Sequence, residues 1–235
     1  MLPEAILFDL DDTILAFDAV MEPAWRAACR HGAELHPGID PERFYETVRA
    51  TAQWYWSDAE RNRLGRLNTD EARREVVLLA LERMGAADRA LAAAVAHEYG
   101  RRKDEMVDFF PGAEETLTEL ASRGVAMALL TNGEGAKQRA KVERFALGRF
   151  FRSVLIEGEI GVGKPEAAIF RRALRELGVE AGGAWCVGDN LEWDVAGAKG
   201  VGVYAIWNDY RKAGLPTGCA IRPDRVICGI SELLG

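Results

Sequence analysis

Ile6-Leu7-Phe8-Asp9-Leu10-Asp11-Asp12-Thr13-Ile14 sets an apolar run directly against three carboxylates, and the reading of that junction decides the fold. Ala5 to Phe8 have the length and composition of a strand buried on both faces, as in a parallel sheet. Asp9 then falls at the strand's carboxyl end, where open α/β sheets bind ligands. Asp9 and Asp11 are two residues apart, so in extended backbone their side chains share a side while Leu10 packs inward. Two carboxylates on one side repel, and a hard divalent cation with oxygen ligands, such as Mg²⁺, relieves this. The competing reading is a helix N-cap made by Asp12-Thr13. It explains Asp12 but leaves Asp9 and Asp11 without a role.

Downstream of Thr13 the periodicity changes. From 18 to 106 apolar residues recur at helical spacing: Ala24, Trp25, Ala28 and Cys29; Phe44, Val48, Thr51 and Ala52; Val76, Val77, Leu79, Ala80 and Met84; Leu91, Val95 and Tyr99. Pro41 and Asn68-Thr69-Asp70 mark helix starts, and Gly32, Gly85 and Gly100 are placed near helix ends. Four or five helices forming a separate bundle are predicted. Strands then follow at 125–130, 153–156, 184–187 and 203–206, alternating with helices at 112–123, 135–145, 167–177 and 191–198. Such alternation implies βαβ units. The predicted fold is α/β: a Rossmann-like, doubly wound parallel sheet core (1–17 and 107–235) with an all-helical domain (18–106) inserted after the first strand.

Composition narrows the function. With 235 residues, 49% of them hydrophobic, the chain can bury a substantial core. Its net charge of −7 argues against a nucleic-acid polymer or an anionic membrane as partner. Cys29, Cys186, Cys219 and Cys228 show neither CxxC spacing nor matching histidine pairs, so reduced thiols are expected rather than a zinc site or a disulfide framework. Met1 leads straight into the first strand without a basic or apolar leader, and no segment is long enough to span a bilayer, so the cytoplasm is the expected compartment. No apolar stripe is left over once core and bundle are packed, and a monomer or homodimer is expected.

Three later stretches repeat the theme of polar residues at strand ends. Leu129-Leu130-Thr131-Asn132-Gly133 ends a strand with a hydroxyl, an amide and a glycine, able to hold phosphate oxygens or simply to make an Asn-Gly turn. Gly158 to Pro165 resembles a nucleotide-binding P-loop, but Pro165 stands where Ser or Thr should ligate Mg²⁺, and Glu159 puts negative charge in the would-be cradle. Lys164 is better read as a lone cation, with Pro165 opening the following helix; a surface lysine is the plainer alternative. Trp185-Cys186-Val187-Gly188-Asp189 again runs an apolar strand into an acid, and Asp194, five residues on, can face the same pocket if the chain turns helical between them.

Taken in order, these stretches resemble the four motifs of the haloacid dehalogenase superfamily. Asp9-Leu10-Asp11-Asp12-Thr13 looks like its DxDxT signature, Thr131-Asn132 like the second motif, Gly163-Lys164-Pro165 with Ile169-Phe170 like the third, and Gly188-Asp189 to Asp194 with Ala196-Gly197-Ala198 and Gly200 like the fourth. The inserted helices match the position of the helical cap in one branch. The resemblance implies an Mg²⁺-dependent phosphatase acting on a small-molecule phosphate monoester, of sugar phosphate or nucleoside monophosphate type, through an aspartyl phosphate. It implies Asp9 as nucleophile, Asp11 as acid and base, Lys164 as the neutralising cation, and Thr131 and Asn132 as substrate-binding groups. It further implies Mg²⁺ held by Asp9, Asp189 and the backbone carbonyl of Asp11, with Asp194 beside it orienting a metal-bound water or Lys164.

A phosphomutase of the beta-phosphoglucomutase type would keep all four motifs, and a non-catalytic binding module on the same fold is a rival of another class. A dehalogenase would lack the second aspartate, so Asp11 argues against it. In the inserted segment, Arg61, Arg63 and Arg66 read mainly as a solvated face; Trp54, Tyr55 and Trp56 suit either a cleft or bundle packing.

Overall fold

The computed structural model describes residues 2–235, which form two compact units, one of residues up to Ala16 together with Asp108–Gly235 and the other of Phe17–Val107. The first contains a six-stranded sheet: β1 (Ala5–Phe8), β2 (Ala126–Thr131), β3 (Ser153–Ile156), β4 (Ala184–Gly188), β5 (Tyr204–Asn208) and β6 (Arg225–Ile227). Their spatial order is β3-β2-β1-β4-β5-β6, and every neighbouring pair is parallel. All four residues of β1 are completely buried, as expected for a central strand with partners on both edges. This is the α/β Rossmann-like core that the alternation implied. The chain runs from β1 outward to β3, then returns to β4 on the other side of β1. The crevice of this reversal lies beyond the carboxyl ends of β1 and β4.

One face of the sheet packs Ala5, Leu7, Ala128 and Leu130 against Ile169, Phe170, Ala173 and Leu177 of a helix spanning Ala167–Leu177. Its buried residues recur at intervals of three and four, and Gly178 stops it in the left-handed conformation at φ 72°. Burying one such large side chain contributes roughly 1.5–3 kcal/mol.

Element edges differ from the sequence reading in informative ways. β2 ends on Thr131 rather than Leu130, which makes the hydroxyl the strand's last residue. β6 was not expected, because three residues carry too little alternation to stand out. The helix expected at 191–198 is a π-helix over Leu191–Ala196 followed by one α-helical turn at Gly197–Lys199. Widened turns of this kind recur at functional sites.

The second unit holds five helices, α1 (Asp18–Leu35), α2 (Pro41–Ser57), α3 (Ala59–Gly65), α4 (Thr69–Arg83) and α5 (Arg89–Met106), all between β1 and β2 in sequence, and in the first unit α6 (Ala113–Ser122) leads into β2 and α7 (Gly135–Arg144) follows it. Four begin at side-chain caps: Asp40, Asp58, Asn68 and Asp88 each accept a backbone N–H from the first turn. Their apolar faces meet in a core built on Ala24, Phe44, Val48, Val77, Leu81 and Val95, with Trp25 stacked on Tyr99 at 3.7 Å between ring centroids. Gly32 lies in the last turn of α1, near its end as expected, whereas Gly100 lies well inside α5. Gly32 serves packing: a Cβ there would lie 2.6 Å from Val95 Cγ2. Tyr55 and Trp56 pack in this bundle, whereas Trp54 is 46% exposed with the Arg61 guanidinium stacked 4.0 Å from its ring. Among the described residues no helix is long and apolar enough to cross a membrane, and all four cysteines are unbridged, Cys29 and Cys186 in buried positions.

Candidate active site

Asp9 sits just past β1, its backbone N–H donating to the Val187 carbonyl of β4 at 2.9 Å. One carboxylate oxygen accepts the Thr13 hydroxyl at 3.2 Å and the other accepts Lys164 Nζ at 2.5 Å. The same ammonium donates to Asp194 at 2.7 Å, and the second Asp194 oxygen accepts the Asn190 backbone N–H at 3.0 Å. Asp9, Lys164 and Asp194 are all buried, so this is a charge triad in which each ion has a partner, the condition for keeping charges away from water. The chain makes room for it at Gly188, where a Cβ would lie 2.1 Å from Asp194 Cγ. A glycine ending β4 is what lets Asp194 reach Lys164.

Asp189 completes an acidic group. One oxygen each of Asp9, Asp189 and Asp194 lies within 4.8 Å of the others. Burial pushes the Asp9 carboxyl up to about 7 against the pull of Lys164, and Asp194 and Asp11 add to the rise. Burial, then the charges of Asp9 and Asp194, push Asp189 up to about 9. Burial disfavours the Lys164 charge, but the two carboxylates more than offset it and raise its pKa. One ammonium thus leaves this pocket with an excess of negative charge that protons relieve in part. An all-carboxylate, hard-oxygen donor set with that excess fits a small divalent cation such as Mg²⁺.

The Asp11 carboxylate is not one of the three that gather. Lys141 Nζ donates to both its oxygens, at 2.7 and 2.6 Å, and Gln138 Nε2 donates at 3.0 Å. The chain turns just after it: Asp12 takes a left-handed φ of 60°, its N–H donating to the Leu15 carbonyl at 2.7 Å while Ile14 N–H donates to that of Leu10 at 2.9 Å. Aspartate tolerates this conformation better than most residues. The Asp11 side chain is thus held by Gln138 and Lys141 and stands apart from the group formed by Asp9, Asp189 and Asp194. From β5, Asn208 Nδ2 secures the Asp12 carbonyl at 3.0 Å.

Thr131 and Asn132 lie at the end of β2, as the sequence implied, but they use their polar atoms differently. Thr131 Oγ1 accepts Gln138 Nε2 at 2.6 Å. The Asn132 amide is turned onto the Lys164 backbone, donating to its carbonyl at 2.7 Å and accepting its N–H at 2.8 Å. Both its polar atoms hold the loop carrying Lys164. Glu157 is buried and accepts the Gly133 N–H at 3.0 Å. It packs so closely on Gly163 that a Cβ there would lie 2.7 Å from its carboxyl carbon.

Sequence reading missed Gln138, Lys141, Glu157 and Asn208. Gln138 and Lys141 are three apart in the helix Gly135–Arg144, hence on one face, but in a strongly charged stretch nothing sets them apart as a pair.

A sequence model described as haloacid dehalogenase-like hydrolase matches residues 3–202. The chain is 37% identical over 232 residues to a phosphoserine phosphatase of Thermus thermophilus, covering 87% of this chain and 88% of the relative. It is 32% identical over 206 residues to a glyceraldehyde 3-phosphate phosphatase of Methanopyrus kandleri, covering 86% and 82%. Among solved structures, the HAD-hydrolase YfnB of Bacillus subtilis bound to magnesium superposes with a TM-score of 0.75 at 23% identity, over 99% of this chain and 97% of that one.

Proposed function

The chain belongs to the haloacid dehalogenase-like hydrolases, and from that premise we propose that it is a phosphatase of small phosphate monoesters working through an aspartyl phosphate on Asp9. The observation that carries this reading is Asp9 itself, a buried carboxylate held between Thr13 and Lys164 at the carboxyl end of the central strand. Relatives named for phosphoserine and for glyceraldehyde 3-phosphate support a small anionic substrate of the sugar-phosphate kind. The unbridged cysteines support a reducing compartment such as the cytoplasm.

In the first step an Asp9 oxygen attacks phosphorus, the bond to the ester oxygen breaks, and Asp11 delivers a proton to the departing alcohol. In the second, Asp11 takes a proton from water as that water attacks phosphorus, and the bond to Asp9 breaks to release phosphate. Lys164 and the Thr131 hydroxyl bind the phosphoryl oxygens and offset their charge, which is most of what phosphoryl transfer asks of a protein. Asn132 and Asp194 keep Lys164 in place, the first through its backbone and the second through its ammonium. Mg²⁺, held by Asp9, Asp189 and the Asp11 carbonyl with Asp194 alongside, would supply further positive charge to the transferring group. Dehalogenation has no use for Asp11 as acid and base.

The test is hydrolysis of p-nitrophenyl phosphate by wild-type protein with Mg²⁺, by wild-type protein with EDTA, and by Asp9→Asn. Activity that needs both the metal and Asp9 is expected. Activity that survives in Asp9→Asn would overturn the reading.

A further inference from the structure

Helix α7 (Gly135–Arg144) brings two side chains to Asp11 from about 130 residues away in sequence. Lys141 Nζ spans both carboxylate oxygens, at 2.7 and 2.6 Å. Gln138, buried one turn earlier, donates from a single nitrogen to Asp11 at 3.0 Å, to Thr131 Oγ1 at 2.6 Å and to the Asn132 carbonyl at 3.1 Å. Asp11 hangs on the tight turn closed by Asp12 and Leu15, and its side chain is a quarter exposed, so backbone and burial alone leave its rotamer open. Two donors on one helix face remove that freedom and tie Asp11 to Thr131. We propose that Lys141, with Gln138, is a positioning residue for Asp11: the α7 clamp sets where the acid–base carboxyl stands relative to the phosphoryl site, and hence which leaving groups the enzyme can expel.

The inference rests on the phosphatase reading, because it assigns a purpose to Asp11. Its consequence is selective. A nitrophenolate departs as an anion without a proton, whereas the alkoxide of a sugar or glycerol phosphate needs one from Asp11 as the ester bond breaks. Loosening the clamp therefore penalises the alkyl ester more, and a misplacement of about 1 Å costs on the order of 100-fold.

The measurement is kcat/KM for p-nitrophenyl phosphate and for glycerol 3-phosphate with wild-type protein, Lys141→Met and Lys141→Arg, since kcat/KM reports the step in which the alcohol leaves. The ratio of the two values is independent of how much of a sample is folded, so a merely unstable variant does not change it. We expect Lys141→Met to raise the nitrophenyl-to-glycerol ratio at least tenfold and Lys141→Arg to restore most of the wild-type ratio. A ratio within twofold of wild type in Lys141→Met, whatever the absolute loss, overturns the inference. Asp9→Asn serves as the separate control: activity there would defeat the phosphatase reading itself, and its absence leaves the ratio to judge the clamp.

Discussion

Replacing Lys164 by methionine removes one cation and almost no volume, and the geometry around it sets the size of the effect. The ammonium is within 2.5 Å of Asp9 and 2.7 Å of Asp194, is 3% exposed, and is the cation that holds this carboxylate group together. Removing one member of a buried ion pair costs about 3–5 kcal/mol, because the remaining charges stay buried without compensation. For a chain of this size each kcal/mol shifts Tm by roughly 2–4 °C, so the loss is about 6–20 °C. It belongs to the unfolding of the α/β unit, leaving the transition of the helical unit in place if the two melt separately.

The loss must also depend on pH. Asp9 is already raised from 3.8 to about 7 with the lysine present, and Asp189 from 3.8 to about 9. A carboxyl whose folded pKa exceeds its unfolded value keeps its proton longer in the folded state, so stability is highest below the unfolded pKa and falls as pH rises towards the folded one. Lys164→Met pushes these values further up. The mutant should be nearer wild type at pH 4, where Asp9 and Asp189 keep their protons in the folded state with or without the lysine, and should show a larger deficit at pH 8, above the folded value of Asp9. Thermal unfolding in EDTA at the two pH values measures this. An equal deficit at both, or none at either, would refute the electrostatic account.

Two further outcomes follow from the same geometry. Mg²⁺ bound at the proposed site would displace protons from Asp9 and Asp189, both held above the usual carboxylate range, so the rise in Tm at a given excess of Mg²⁺, worth about 3 kcal/mol at a hundredfold excess over Kd, should be larger at pH 8 than at pH 5; equal shifts would argue against these carboxylates as the site. Gly188→Ala places a Cβ 2.1 Å from Asp194 Cγ, which overpacks the site by about 1–3 kcal/mol and pushes Asp194 off Lys164. Denaturant midpoint and kcat/KM should both fall, and a fully active, equally stable variant would show that the close approach is not needed.

The sequence by itself determined the sheet, the interruption by helices and the acids at the strand ends, because each of these is written locally. Four-residue apolar runs such as Ala5 to Phe8 make buried parallel strands, recurrence at three and four makes helices, and position at a strand's end is read directly from the order of residues. Asp9, Thr131 and Asp189 were legible for that reason, each at the end of a strand the pattern identifies, whereas Lys164 and Asp194 were singled out by the order of the motifs. Tertiary structure alone decided what their side chains touch. The Asn132 amide turns to Lys164 because the loop after β3 closes over the end of β2. Gly100 passes for a helix end although α5 runs on to Met106, and only the neighbouring Val95 shows why Gly32 needs no side chain. Lys141 and Gln138 meet Asp11 only because α7 is laid beside the end of β1, across a gap in sequence that no local period spans, and the direction of a side chain from a helix to a distant turn is set by packing.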